Sequence, residues 1–239
     1  MKRIKIFFMV FLLGAVFISK NNAFAMDEGL SMEKMPSEQV ERFLKNSAIT
    51  IFYSEPDKKT ISCYDVNEDG MIAIGSDDST KKQICIYSNN GDFQYGYRFK
   101  SDGSFEVEWK DNILNIYFVR SDVAVSLNSM GEIENVLEIQ DTMENTTYWN
   151  TIVAANKKYV GKDEYIVQND MGFLGWFATS YSQLIKVDAH GRTRLIYDVN
   201  SYQLLHSIIV FVGVCAWIGY VIWKLFGEFK KLQENKEEP

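Results

Sequence analysis

Histidine is almost missing from this 239-residue chain: His190 sits in a turn-like stretch and His206 in a long apolar run. That removes the side chain that most often orients a nucleophile or moves protons near neutral pH. Cysteine is scarce as well. Of three, Cys215 lies inside the apolar run, which leaves Cys63 and Cys85 as the one pair available to an exported domain. Proline occurs only at Pro36, Pro56 and Pro239, so little in the middle of the chain obstructs strand pairing. Positive charge is in deficit, with 25 Lys and Arg against 32 Asp and Glu. Residues 1–25 hold Lys2, Arg3, Lys5 and Lys20 and no acid, so the remainder carries −11 where the whole chain carries −7. An acidic domain of this kind repels nucleic acid and anionic lipid headgroups, which excludes nucleic acid as a partner. No Gly-rich phosphate loop and no His/Cys ligand spacing is present, so the sequence offers no cofactor and no catalytic set.

What the sequence does have is a twenty-residue run, Leu204–Trp223, without one acidic or permanently cationic side chain. As a helix it would span ~30 Å, the thickness of the bilayer hydrocarbon. The start of the chain is basic, then apolar from Ile6 to Ile18, then Ala23-Phe24-Ala25. This is the layout of a secretory signal peptide over residues 1–25, an uncleaved anchor being the rival reading. Lys224, Lys230 and Lys231 follow the long run, and basic flanks stay inside. The expected plan is therefore a signal peptide (1–25), a linker with a short helix (26–48), an extracytoplasmic domain (49–203), a transmembrane helix (204–223) and a cytoplasmic tail (224–239). The localisation that follows is a cell membrane, crossed once, with the N-terminal domain outside.

Within residues 36–46 Pro36 suits a first helical turn, and Val40, Phe43 and Leu44 recur at helical spacing. From Ile49 to Asn200 the pattern changes to short alternating runs of Ile, Val, Tyr and Phe broken by Gly, Asn, Asp and Ser, which reads as all-β with no intervening helix. Three times an alternating run closes on a glycine turn and restarts: QICIYS-NNG-DFQYGY, VAVSL-NSMG-EIENVL and QLIKVD-AHG-RTRLIY. Gly91, Gly131 and Gly191 supply the positive φ such turns need. Their separations are 40 and 60 residues, so the third unit carries an insertion or a degenerate half-unit before it.

These hairpins resemble the blades of NHL-like β-propellers over about residues 61–200, and the chain as a whole resembles bacterial membrane-anchored proteins of that kind. The resemblance implies a propeller-like stack of three to four small antiparallel sheets, closed or open, with a short N-terminal helix and a C-terminal transmembrane helix. Cys63 and Cys85 then fall on non-adjacent strands ~9.5 Å apart, too far for a disulfide, and are expected as buried free thiols.

Two stretches are candidates for a site. Asp65, Asn67 and Asp69, in D-x-N-x-D-G, open like a calcium loop, but Ser76 stands where the bidentate Glu belongs and the flanks are strands. The plainer reading is a turn in which Asp and Asn cap their own backbone. Phe173, Trp176 and Phe177, in the apolar MGFLGWF segment, are the candidate binding surface, with core filling or contact with the bilayer interface as alternatives. Glu106 and Glu108 share one strand face, as acidic pairs in such a chain often do. The function expected is a membrane-tethered module binding a protein, peptide or envelope component. An envelope-polymer hydrolase or lyase using acidic residues of a sheet cleft is the alternative, and clustered carboxylates with disturbed pKa values would mark it.

Overall fold

The computed structural model describes residues 29–78, 81–178 and 180–237, apart from the side chains of residues 78, 173, 176, 177 and 226–237. The signal-peptide expectation lies outside the described residues. Three antiparallel sheets make up most of the fold. The first runs β3 (Cys63–Val66), β4 (Ile72–Asp78), β5 (Lys81–Tyr87) and β6 (Phe93–Lys100) in chain order, with β2 (Thr50–Phe52) added beyond β6. The second runs β7 (Phe105–Lys110), β8 (Ile113–Phe118), β9 (Val123–Leu127) and β10 (Ile133–Ile139), with β1 (Met32–Lys34) beyond β10. The third consists of β11 (Lys157–Val160), β12 (Asp163–Gln168), β13 (Gln183–Val187) and β14 (Thr193–Asp198). The sheets do not close into a ring.

The first sheet is the middle layer. Its residues Cys63, Ala73, Ile84, Ile86, Tyr97 and Phe99 pack against Val107, Ile116 and Val125 of the second sheet. Its other face, with Tyr64, Ile72, Ile74, Cys85 and Tyr87, packs against Tyr165, Val167, Leu184 and Tyr197 of the third. A sheet covered on both sides needs apolar residues in both phases of the alternation. That accounts for the nearly continuous apolar runs of β4 and β5. Cys63 and Cys85 are free and buried, and they belong to opposite cores.

The three glycine turns are built alike. In each, a first-position side chain accepts from the backbone two and four residues on: Ser88 from Asn90 and Asp92, Asn128 from Met130 and Glu132, Asp188 from His190 and Arg192. Their surroundings differ. The Gly131 turn rests on Ile51 and Tyr97 of the first sheet, and the Gly91 turn rests on the Ile196 carbonyl of the third. Among the described residues nothing lies within 4 Å of a Cβ built on Gly191. Each turn thus docks on the neighbouring sheet until the third, whose turn faces open space. Gly91 has φ +86° and a Cβ there would meet the Ile196 oxygen at 3.0 Å, whereas Gly191 has φ +75° in the open. Gly91→Ala is expected to destabilise the full chain by about 1–3 kcal/mol and Gly191→Ala by clearly less, read from denaturation midpoints.

Three α-helices are found among the described residues. Helix α1 (Ser37–Ser47) follows Pro36 as the spacing predicts, and lays the Phe43 ring edge-on against Phe118 at 4.9 Å, plugging the end of one core. Helix α2 (Met143–Tyr148), continued by a π-turn over Trp149–Val153, departs from the all-strand expectation. Its Thr142 cap accepts from the Asn145 N–H, and Tyr148 and Val153 pack with Leu30, Tyr117 and Ala124 on the outer face of the second sheet. This insertion and the long loop between β12 and β13 together account for the 60-residue spacing to the third turn. Helix α3 (Asn200–Glu237) starts four residues before the expected span, and it is long and apolar enough to cross a membrane.

Candidate functional site

Strands β3, β7 and β11 are the free first strands of their sheets, and they bring charged residues to one junction. Asp65 of β3 pairs with Lys158 of β11 at 3.0 Å, both side chains about nine-tenths covered. The other Asp65 oxygen accepts the Trp109 backbone N–H from β7. Lys158 also donates to the Val153 carbonyl at 3.1 Å and lies over the Tyr64 ring. Burial raises the Asp65 pKa, and the Lys158 ammonium and the Trp109 N–H pull it back. On the same face of β7, Glu108 accepts from the hydroxyls of Tyr117 and Tyr148, so α2 is fastened to the sheet by its carboxylate.

Glu106, two residues before Glu108, belongs to the same cluster. Burial pushes its carboxyl up to about 7, although Lys158 lowers it. It lines a cleft of about 400 Å³ together with Thr60, Ser62, Ser104 and Ser180. Asp77, in the same cleft, is bound by the Lys82 ammonium. Behind Glu106, burial pushes the Cys63 thiol well above its ordinary range, and the Glu106 charge adds to the effect. A thiol so placed is a small core hydrophobe and a poor nucleophile. The chemistry the cleft offers is one carboxyl that exchanges its proton near neutral pH, among hydroxyls that donate and accept. Acidic residues do converge here, but Asp65, Asp77 and Glu108 are occupied by internal partners.

The turn candidates separate. The Asp65 carboxylate turns inward to the junction, and the Asn67 side chain accepts its own turn's Met71 N–H at 2.8 Å, the capping role of a plain turn. Asp69 stays exposed, and no group of three or more His, Cys, Asp or Glu among the described residues is placed to hold a metal ion. Asn145, which begins an Asn-Thr-Thr triplet, is buried and bonded to Ser31 and Gln140, which removes it as a modification acceptor.

Phe173, Trp176 and Phe177 fall in a 3-10 helix, Gly172–Phe177, between β12 and β13, with their side chains outside the described residues. This element packs against α3. The first two turns of α3 are held in the domain: Asn200 donates to the Asp170 carbonyl, Gln203 donates to the Ser180 carbonyl, and Ser207 is fully buried.

One surface was not singled out in the sequence. The outer face of the third sheet carries Tyr159, Ile166, Ile185, Val187 and Leu195, aligned by registers such as Ile166↔Ile185↔Leu195. Tyr159 is 70 % and Leu195 48 % exposed, and an ion pair of Lys157 with Glu164 at 3.1 Å lies among them. The corresponding outer face of the second sheet is covered by α2. Alternating apolar residues on both faces of β13 were the available signal. No family model matches the chain, and no curated protein matches it either.

Proposed function

We propose that this protein is a membrane-tethered, extracytoplasmic binding module that engages a protein partner through the outer face of the third sheet. The observation that carries the reading is the interrupted docking order of the three turns. The second sheet's turn seats on the first sheet and the first sheet's turn seats on the third, while among the described residues none lies against Gly191, and Tyr159 and Leu195 of the apolar row beside it are exposed. On this reading the chain is an open, propeller-like stack, and a partner covers the surface where a further sheet would pack. A half-exposed apolar row beside an ion pair has the make-up of a protein interface, a tyrosine-bearing apolar centre with a polar rim. Helix α3 serves as the single membrane span, with the basic residues after it inside.

The test is crosslinking and capture of the full chain from its own membrane, beside a Tyr159→Glu/Leu195→Glu variant shown to fold and reach the membrane. One discrete partner recovered with the wild type and lost with the variant supports the reading; equal recovery with both contradicts it. The hydrolase alternative has a single observation in its favour, the near-neutral carboxyl of Glu106 in a hydroxyl-lined cleft. It requires that the wild-type chain cleave envelope polymer and that Glu106→Gln abolish the cleavage.

A further inference from the structure

The loop between β12 and β13 leaves and rejoins the domain at fixed points on α3. The Asp170 carbonyl accepts from Asn200 at 3.0 Å, and the Ser180 carbonyl accepts from Gln203 at 2.6 Å. Val199 N–H donates to the Ser182 carbonyl, and Ser182 N–H donates to the Asn169 side chain, so both strand ends are locked to the helix start. Between these anchors the 3-10 helix packs along α3. Ser207 has no exposed surface although it lies two turns into the helix, so the domain covers α3 at least that far along its axis. At ~1.5 Å per residue Ser207 is ~10 Å beyond Asn200 along the axis, and the 3-10 helix is the element of the loop that packs on α3 beyond the pinned strand ends.

That depth can be compared with the span. Ile208, Ile209, Val212 and Trp217 are exposed, so from Ile208 onward the helix shows the bare apolar surface of a segment made for lipid. Measured back from Lys224 at ~1.5 Å per residue, a ~30 Å hydrocarbon layer ends near Leu204. The 3-10 helix therefore lies at the boundary between acyl chains and headgroups. Its sequence, Gly-Phe-Leu-Gly-Trp-Phe, has no charge and is half aromatic, the composition that collects at this boundary.

We propose that Gly172–Phe177 is a membrane-interface foot, seated in the outer leaflet beside α3, whose ligand is the phospholipid bilayer itself. Two elements then hold the β-domain to the membrane, the span and the foot, which limits rotation of the domain about α3. With Gly191 at the end of the β13–β14 hairpin opposite the start of α3, that turn stands away from the lipid. The foot rests on α3 crossing a bilayer and is independent of the partner proposed above.

The experiment uses the full chain in phosphatidylcholine vesicles, with a photoactivatable residue replacing Leu174, Ile209 or His190 in turn. Lipid adducts at Ile209 report the span. Adducts at Leu174 comparable to those at Ile209, and their loss at His190, are the expected result. No lipid adduct at Leu174 while Ile209 is labelled, or adducts to protein alone, overturns the foot; no adduct at Ile209 overturns the span and the foot with it. Where the probe at Leu174 disturbs folding, Trp176→Phe reads the same place. Tryptophan quenching by lipids brominated near the headgroup should fall in that variant, and an unchanged quenching amplitude overturns the proposal.

Discussion

Lys158→Ala is expected to be the most damaging single substitution outside the hydrophobic cores, costing about 3–5 kcal/mol. The lysine is the cation shared by Asp65 and Glu106, and it joins the third sheet to the first. Its removal leaves the Asp65 carboxylate buried with backbone N–H donors and no counter-charge. A buried charge without its partner costs more than the pair contributed, so the matched variant Lys158→Met/Asp65→Asn should recover much of the loss. Denaturant unfolding of the full chain in detergent micelles, followed by tryptophan fluorescence, measures both. Equal losses in the single and the double variant would remove the junction from the account of stability.

The second large effect is a pH dependence carried by Glu106. The folded chain holds this carboxyl at about 7, against an ordinary value of 4.5. The folded state therefore binds the proton more tightly than the unfolded state. Stability is greatest below the unfolded value and is lost as pH rises through 4.5 toward 7, by up to about 3 kcal/mol. Glu106→Gln keeps the neutral shape and cannot ionise. It should flatten the slope between about pH 5 and pH 8 and leave the variant more stable than the wild type by about 2–3 kcal/mol at pH 8. A wild-type curve without this slope, or a variant that keeps it, would show that Glu106 ionises in the fold without penalty. The two effects are coupled, because Lys158 lowers the Glu106 pKa: in Lys158→Ala the loss of stability should extend to higher pH.

Much of the architecture was legible because its signals are local. Two-residue alternation and the glycines at 91, 131 and 191 located the hairpins, and the thiols of Cys63 and Cys85 followed from strand adjacency. Helix α2 was not legible. Its stretch is rich in Thr and Asn, poor helix formers, and Thr146, Thr147 and Thr151 turn their hydroxyls back onto carbonyls four residues earlier. The helix is held instead by its cap, by the Tyr148–Glu108 bond and by contacts with the second sheet. The middle position of the first sheet had a sequence trace in the unbroken apolar runs of β4 and β5. That both its faces are covered, while the third sheet keeps one bare, depends on how sheets stack and leaves no local mark.

The same division holds at the junction. The shared face of Glu106 and Glu108 could be read from their spacing on β7. Asp65 was noticed for its place in a turn motif, whereas its partner Lys158 sits on another sheet and no pattern in the chain joins them. For the Phe173, Trp176 and Phe177 segment, composition marked the stretch as a surface of interest, and its position beside α3 turns the reading toward lipid.

The central claim, that the open face of the third sheet receives a protein partner, is tested most directly by photocrosslinking from Tyr159 in the protein's own membrane. Met143, more exposed than Tyr159 but on the helix-covered side of the second sheet, is the comparison site. The account predicts one discrete protein adduct from position 159 and none from position 143. No adduct at 159, or the same adducts from both positions, would contradict it.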